Sequence, residues 1–192
     1  MDIVQYPHPT LRHKSKPLKK VNREIKKIIE QMFDAMYEAN GIGLAANQVD
    51  FPFQLFVINT SGKQGEGEER VFINPVLSSP KGSDEAEEGC LSIVGVNANV
   101  IRPAQIHVHA YDLAGNEIDQ TVDGLLAKAI QHEFDHLEGV LFIDRISDSA
   151  RVNIAGELED FELVFQSQQA TGELPNDETI HQRLKSLEDK FC

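Results

Sequence analysis

Two histidines four positions apart, with a glutamate directly after the first, constrain this chain more than any other feature. They lie in residues 131–136, which read Gln-His-Glu-Phe-Asp-His. Positions i and i+4 lie on the same face of an α-helix, one turn apart, so His132 and His136 can bind one metal ion. Glu133 then lies beside the open coordination position, where it can act as a base for a metal-held water. The pattern predicts a helix with a hydrolytic metal site, although such pairs also occur by chance on solvated helices.

The residues before this motif predict that its helix is buried. Residues 122–130 are rich in apolar helix formers, and Asp123 has the right chemistry for an N-cap. Apolar side chains at positions 126, 129, 130, 134 and 137 mark one buried side of the helix. A buried group of two histidines and a glutamate needs polar partners, because unpaired polar groups are costly in an apolar interior. A metal ion would meet that need.

The third metal ligand has candidates on either side of the motif. A metzincin-type histidine six positions after His136 is excluded, because Phe142 occupies that position. In other HExxH peptidases the third ligand is a later glutamate, and Glu157 or Glu159 fits by spacing. Upstream, Cys90 is one of only two cysteines, and a thiolate is a strong ligand for zinc and for ferrous iron. The acidic run and the glycine before it predict a loop that could approach a metal.

Residues 41–49 form a glycine-rich segment. It reads Gly-Ile-Gly-Leu-Ala-Ala-Asn-Gln-Val, which matches neither the dinucleotide-binding pattern nor a P-loop. Its glycines permit close approach of the backbone to another group, or simply a tight turn. Gln48 carries both a donor and an acceptor and suits the stabilisation of a developing oxyanion.

Together these three segments resemble the signatures of the peptide deformylase family. The family patterns are GxGxAAxQ, EGCLS and QHExDHL, and residues 41–48, 88–92 and 131–137 match them in that order. Residues 4–12 are similar to the family's opening segment, whereas Asn47 and Val94 differ from the residues usual at their positions. The resemblance implies an enzyme that removes the formyl group from N-formylmethionine at the start of nascent peptides, on the ribosome.

The resemblance also implies a metal site. Cys90, His132 and His136 would hold one divalent ion, which is Fe2+ in the family and can be replaced by Zn2+, Ni2+ or Co2+. The family's glutamate before Gly-Cys pairs with an arginine further along the chain. This relationship predicts an ion pair between Glu88 and Arg102 that braces the segment around Cys90.

Catalytic and substrate-binding residues follow from the same resemblance. Glu133 would be the general base, and Gln48 and the backbone N–H of Leu91 would stabilise the oxyanion. The methionine side chain needs an apolar pocket, and the peptide backbone needs an extended partner. The residues expected to bind substrate are Ile42, Gly43, Leu44, Gly95, Leu125, Ala129 and His132.

Composition sets further limits on function. The net charge of −13 argues against stable nucleic-acid binding, although residues 11–27 hold eight Lys or Arg against one Glu and could contact RNA or an acidic partner. No apolar run approaches the roughly 20 residues that cross a bilayer, so no membrane partner is expected. The absence of a signal-peptide pattern and of a disulfide framework predicts a cytoplasmic, bacterial-type protein.

Hydrophobic periodicity predicts an α+β fold in which mixed or antiparallel sheets pack around the central HExxH helix. Helical patterns cover residues 22–38 and about 149–168, and strand patterns cover residues 54–58, 71–77, 104–111 and 117–122, with a surface loop at residues 61–69. His107 and His109 alternate with apolar residues, which is typical of the solvent face of a strand.

The chain divides into a catalytic domain, residues 1–147, and a C-terminal helical extension, residues 148–192. The last helix of the extension has four apolar residues at helical spacing: Ile180, Leu184, Leu187 and Phe191. We expect this stripe to pack on its own domain, which gives a monomer, or to form a homodimer contact.

Two other functions stay open at this point. One is an HExxH endopeptidase with Glu157 or Glu159 as the third ligand, which leaves Cys90 without a purpose. The other is a non-catalytic protein with a structural metal, which would need neither Gln48 nor Glu133.

Overall fold

The computed structural model describes residues 1–192, which form five α-helices and seven β-strands. The helices are α1 (Arg23–Glu38), α2 (Gly124–Leu137), α3 (Asp148–Asn153), α4 (Ala155–Thr171) and α5 (Asp177–Phe191). The strands are β1 (Gly43–Ala45), β2 (Leu55–Ile58), β3 (Arg70–Lys81), β4 (Asp84–Cys90), β5 (Ile93–Arg102), β6 (Gln105–Tyr111) and β7 (Glu117–Asp123). The expectation of an α+β fold with antiparallel sheets is confirmed.

A five-stranded antiparallel sheet, in the order β1-β2-β3-β6-β7, lies between two helices. Side chains alternate between the two faces of a strand, so β2 packs against a helix on each face. Leu55 and Val57 pack in the core with α1, whereas Phe56 and Ile58 pack in the core with α2. All four β2 residues are therefore buried, and α2, which carries the HExxH motif, is held against one face of the sheet.

The two long helices of the amino-terminal part begin as the sequence predicts. The side chain of Asn22 accepts a hydrogen bond from the N–H of Ile25, which caps α1 at its first turn. Asp123 occupies the N-cap position of α2 in extended backbone, but its side chain makes no capping hydrogen bond. The position of that N-cap is therefore confirmed, and the capping contact is absent.

The acidic segment before Cys90 is a strand, and the expectation of a loop there was wrong. β4 pairs with β5 in a two-stranded antiparallel sheet, with Glu88 opposite Ala98 and Gly89 opposite Asn97. Acidic residues disfavour strands, so local preference hides this hairpin, and the pairing with β5 overrides it. Its first strand ends at Cys90, which places the thiol at a fixed point beside α2.

The C-terminal segment contains three helices where the sequence predicted two. The helix expected over about 149–168 is interrupted at Ile154, whose backbone leaves the helical region at φ −100° and ψ 5°. Ile154 is buried with Leu141 and Phe142, a long-range contact that helical periodicity does not report. The division of the chain at residue 147 stays a prediction.

The last helix packs on the rest of the same chain. Ile180, Leu184 and Phe191 are buried, Leu187 is partly buried, and the ring of Phe191 meets that of Phe53 edge-on at 5.2 Å. The stripe therefore packs on its own domain, and the oligomeric state stays a prediction. No helix in the structure combines the length and the apolar character that crossing a membrane requires.

Candidate metal centre and active site

One thiol and two imidazoles converge at the end of β4. The ligand atoms of Cys90, His132 and His136 all lie within 4.8 Å of one another. The sulfur of Cys90 is 3.2 Å from Nε2 of His136. The helix supplies both histidines because they are one turn apart, and the hairpin supplies the cysteine from 42 positions upstream of the first. The structure therefore brings together the three residues that the resemblance indicated as metal ligands.

The other candidate ligands lie elsewhere. Glu157 and Glu159 are exposed on α4 and contribute no atom to this cluster. His107 lies on β6, where its ring contacts Asp119 and Thr121 on the neighbouring strand. The expectation that His107 and His109 lie on one face of a strand is confirmed, because they alternate with the buried side chains of β6.

A buried carboxylate orients the first histidine. Nδ1 of His132 donates to Glu88 at 3.0 Å, which leaves Nε2 free to face Cys90. Arg102 donates to Glu88 at 2.8 Å and, with its other terminal nitrogen, to Asp135 at 2.8 Å. Burial alone would raise the pKa of Glu88, but the hydrogen bonds from Arg102 and His132 outweigh it and lower that pKa to about 2. The predicted pair of Glu88 and Arg102 is present and joins β4 to β5, and the contact of Arg102 with Asp135 links this hairpin to α2.

The donor set fits a divalent metal ion. One thiolate and two imidazoles are ligands that both zinc and ferrous iron accept in catalytic sites. Burial lowers the pKa of His136 well below its ordinary value, so its ring is neutral and has a lone pair to offer. Burial acts in the same direction on His132, but hydrogen bonds to Cys90 and Glu88 prevail and raise its pKa. A metal ion binds the neutral ring, so binding of a cation here would displace that proton.

Glu133 is a buried carboxyl group without a full set of partners. Its side chain is 4% exposed, and Oε2 has no hydrogen-bond partner. Burial raises its pKa to about 7. Gly43 lies against this carboxyl group so closely that a Cβ there would come within 2.9 Å of the carboxyl carbon, so only glycine fits. A carboxyl group that titrates near neutrality can both accept and return a proton.

Gln48 is fixed at the other side of the thiol. Its Oε1 accepts from the N–H of Ala45 at 2.9 Å, which leaves the amide nitrogen pointing towards the cluster. That nitrogen lies 3.1 Å from the hydroxyl of Ser92 and 3.4 Å from the sulfur of Cys90. The amide is therefore a preset donor beside the metal ligands.

A cavity of about 710 Å3 opens onto these residues. Of the residues expected to bind substrate, the cavity is lined by Ile42, Gly43, Gly95, Leu125, Ala129 and His132. Leu44 does not line it, because its side chain is fully buried in the core with α1. Leu91, Gln48 and Glu133 do line it, so the predicted catalytic groups face the same space.

Two residues that support the site were missed. Asp135, between the two histidines in sequence, accepts hydrogen bonds from Arg102 and from Arg145. Asn47 is fully buried and its amide donates to the backbone carbonyl of His136. The role of Asp135 could have been predicted, because a charged residue inside a buried motif needs a partner. No local sequence pattern indicated the contact of Asn47 with the backbone of His136.

Two imidazoles, one thiol and an adjacent carboxyl group at an open cavity define a metal-dependent hydrolase. The family model for polypeptide deformylase matches residues 1–152. A peptide deformylase of Rhodopirellula baltica is 45% identical over 191 residues, which cover 100% of this chain and 95% of that protein. The chain therefore belongs to the polypeptide deformylase family, and it removes the formyl group from the N-formylmethionine of nascent chains.

Relatives from a plant and from Plasmodium support the same family assignment, in sequence and in structure. The chloroplastic/mitochondrial peptide deformylase 1B of Arabidopsis thaliana is 42% identical, over 96% of this chain and 67% of that protein. A crystal structure of peptide deformylase 1B from that plant, in complex with an inhibitor, has a TM-score of 0.83 at 41% identity and covers 92% of this chain and 97% of that one. A peptide deformylase from Plasmodium falciparum also has a TM-score of 0.83, at 34% identity, with 88% of this chain and 98% of that chain covered.

Proposed function

We propose that Cys90, His132 and His136 hold one divalent cation during catalysis, with Fe2+ as the expected ion and Zn2+, Ni2+ or Co2+ as replacements. The observation that carries the proposal is the convergence of their three ligand atoms within 4.8 Å, beside the carboxyl group of Glu133. When bound, the cation supplies Lewis acidity, which polarises the formyl carbonyl and lowers the pKa of water. Anomalous diffraction from crystals loaded with zinc or nickel tests this assignment, and a peak away from Cys90 would refute it.

Glu133 is the general base and then the general acid. Water adds to the formyl carbon while Glu133 takes its proton, and the same carboxyl group returns that proton to the departing amine. The C–N bond breaks, and the products are formate and a peptide with a free amino terminus. The pKa of about 7 suits both transfers, because the group changes protonation state near neutral pH.

Gln48 and the backbone N–H of Leu91 stabilise the negative charge on the formyl oxygen in the transition state. The support for Gln48 is its fixed geometry, since Ala45 and Ser92 hold the two ends of its amide. Such donors act because they point at the place where charge develops before the reaction begins, and loss of one typically slows the reaction by about 10²–10³.

The peptide lies in the cavity of about 710 Å3 that opens onto the metal ligands. Ile42, Leu125, Ala129 and His132 form the pocket for the methionine side chain, and the small Ala129 leaves room for an unbranched thioether. Backbone groups of Gly43, Leu44 and Gly95 pair with the extended peptide. Formyl-Met peptides should therefore be turned over much faster than formyl-Asp peptides, and equal rates would contradict an apolar pocket.

One experiment separates deformylation from the two other functions. The nickel-loaded or iron-loaded protein is incubated with formyl-Met-Ala-Ser and with Met-Ala-Ser, and formate and peptide fragments are measured. Formate from the first peptide alone supports deformylation. Cleavage of internal bonds would indicate an endopeptidase, and inertness towards both peptides would indicate a structural metal.

The substrates in the cell are nascent chains as they leave the ribosome, without stable nucleic-acid binding by this chain. The support is the net charge of −13, which opposes general binding to RNA. The enzyme works in the cytoplasm, where reducing conditions preserve the Cys90 thiol. The burial of Ile180 and Leu184 within one chain favours a monomer over a dimer formed through α5, and light scattering with size-exclusion chromatography tests this.

A further inference from the structure

A second cavity, of about 580 Å3, lies beside the active site. The amino-terminal segment forms one wall, α4 forms another, and the start of β5 forms the third. Apolar side chains dominate its surface: Val4, Val96, Phe161, Val164, Phe165 and Leu174. No residue given a catalytic or metal-binding role lines it, so its apolar surface has no purpose in the chemistry described above.

This cavity adjoins the active-site cavity. Val94, Gly95 and Val96 line both of them, so only the first residues of β5 separate the two spaces. Val94 is 66% exposed, and Gly95 has a φ of +85°, a backbone conformation that favours glycine. A peptide that extended from the active site across Gly95 would therefore reach the second cavity.

His8 offers a hydrogen-bond donor on the floor of the second cavity. It is 4% exposed, and its Nδ1 accepts the N–H of Thr10 at 3.3 Å. The ring proton therefore lies on Nε2, which has no hydrogen-bond partner in the chain although the residue lines the cavity. This nitrogen is accessible from the cavity and can donate to an acceptor such as a peptide carbonyl.

The charge at the rim is uniformly negative. Asp2, Glu157 and Asp160 line the cavity and form no ion pair, and no lysine or arginine lines it. An occupant with basic residues beside its apolar group would therefore be attracted, and an acidic one would be repelled.

We propose that the second cavity binds an apolar side chain of the formylated peptide, downstream of the residues held in the active-site cavity and preferably flanked by lysine or arginine. The inference rests on the proposed function, since the occupant is a later part of the same substrate. The backbone beside that side chain accepts a hydrogen bond from His8. Burial of one apolar side chain should raise kcat/KM about tenfold to a hundredfold. The gain should appear as a lower KM with an unchanged kcat, because the contact in the second cavity stabilises the ground state and the transition state equally.

The test compares formyl-Met-Ala-Ser with a series of longer formyl peptides that carry Leu-Lys at successively later positions, up to about nine residues. Two substitutions on adjacent residues of α4 provide the comparison. Val164 lines the second cavity and Leu163 does not, yet each is 57% exposed, so Val164→Asp and Leu163→Asp should be tolerated alike by the fold. The wild type and Leu163→Asp should favour one length of peptide over the tripeptide. Val164→Asp should turn over that peptide no better than the tripeptide, with an unchanged rate on the tripeptide itself.

Other outcomes overturn the inference. Equal kcat/KM for all lengths in the wild type, or equal losses in the two variants, would show that the cavity binds no downstream residue. A dimer that dissociates in Val164→Asp, without any effect of peptide length, would show that a second copy occupies it. Absence of formate from the tripeptide would refute the proposed function instead, so the two failures are distinguishable.

Discussion

Glu88 on β4 accepts a hydrogen bond from Nδ1 of His132 on α2 at 3.0 Å, across 44 positions of sequence. The contact fixes which ring nitrogen of His132 faces the metal site. Since Cys90 lies two positions after Glu88 on the same hairpin, the carboxylate positions a histidine and the cysteine at once.

Replacement of Glu88 should therefore weaken metal binding without removing a ligand. Glu88→Ala should raise the dissociation constant for Zn2+ about 10- to 100-fold, because the orientation and basicity of His132 are lost. Competition with a chromophoric chelator measures this. Glu85→Ala changes an exposed carboxylate on the same strand and should leave affinity unchanged. Equal affinities for the two variants would mean that Glu88 does not position the site.

Arg102 neutralises two buried carboxylates, so its loss should destabilise the fold. Its side chain is 4% exposed, and it bridges Glu88 and Asp135. Arg102→Met removes a cationic partner from both Glu88 and Asp135. It should therefore reduce the free energy of unfolding by about 3–5 kcal/mol. Arg70 pairs with Glu68, which is 70% exposed, so Arg70→Met should cost no more than about 1 kcal/mol. Urea denaturation of the metal-free proteins compares them, and similar midpoints would contradict the expectation.

Much of the fold could be predicted from periodicity, and the failure at β4 has a clear cause. The alternation of apolar residues predicts β6 as a strand with one buried face, and the helical spacing predicts α1 as a helix with one buried face. Both predictions succeed because periodicity reflects which residues are locally exposed. β4 has acidic residues with little strand preference, and only its pairing with β5 makes it a strand. Likewise, the helix breaks at Ile154, which is buried in one cluster with Leu141 and Phe142, residues that helical spacing does not include.

The site shows the same distinction between local and long-range information. His132 and His136 could be predicted as a pair because one helical turn separates them, and their motif carries Glu133 with them. Asp135 acts through Arg102, which is 33 positions away, so its role appears only when β5 and α2 are brought together.

The last helix should contribute to stability and not to chemistry. Leu184 is fully buried, so Leu184→Ala should reduce the free energy of unfolding by about 2–5 kcal/mol. Lys185→Ala, next to it on the exposed side, should have little effect. Thermal denaturation compares the two. Both should retain the wild-type kcat/KM on formyl-Met-Ala-Ser below their melting temperatures, and loss of that activity in folded Leu184→Ala would show that the helix completes the active site.

His8 should make stability depend on pH. Burial, reinforced by Arg183 and opposed by Asp177, lowers the pKa of His8 from 6.5 to about 4 in the folded state. Between pH 6.5 and 4 the unfolded chain binds the proton and the folded chain does not, so the free energy of unfolding should fall as pH falls through that range. Protonation would also displace the N–H of Thr10 from Nδ1. The carboxylates of Asp2, Glu157 and Asp160 line the same cavity and are common to the wild type and the variant.

Denaturation at several pH values isolates the contribution of His8 by difference. His8→Gln should lose stability less steeply than the wild type below pH 6.5, and the two curves should be parallel above it. Parallel curves throughout the range would show that His8 keeps an ordinary pKa.

The central claim is that Glu133 transfers the proton while three other residues hold the metal. The most direct measurement is formate release from formyl-Met-Ala-Ser by metal-loaded wild type and metal-loaded Glu133→Ala, with the metal content of each protein determined in parallel. Glu133→Ala should keep one ion per chain and lose at least about 10²–10⁴ in kcat, the usual contribution of a positioned general base. A variant that retains both its metal and a near-wild-type rate would contradict the role assigned to Glu133.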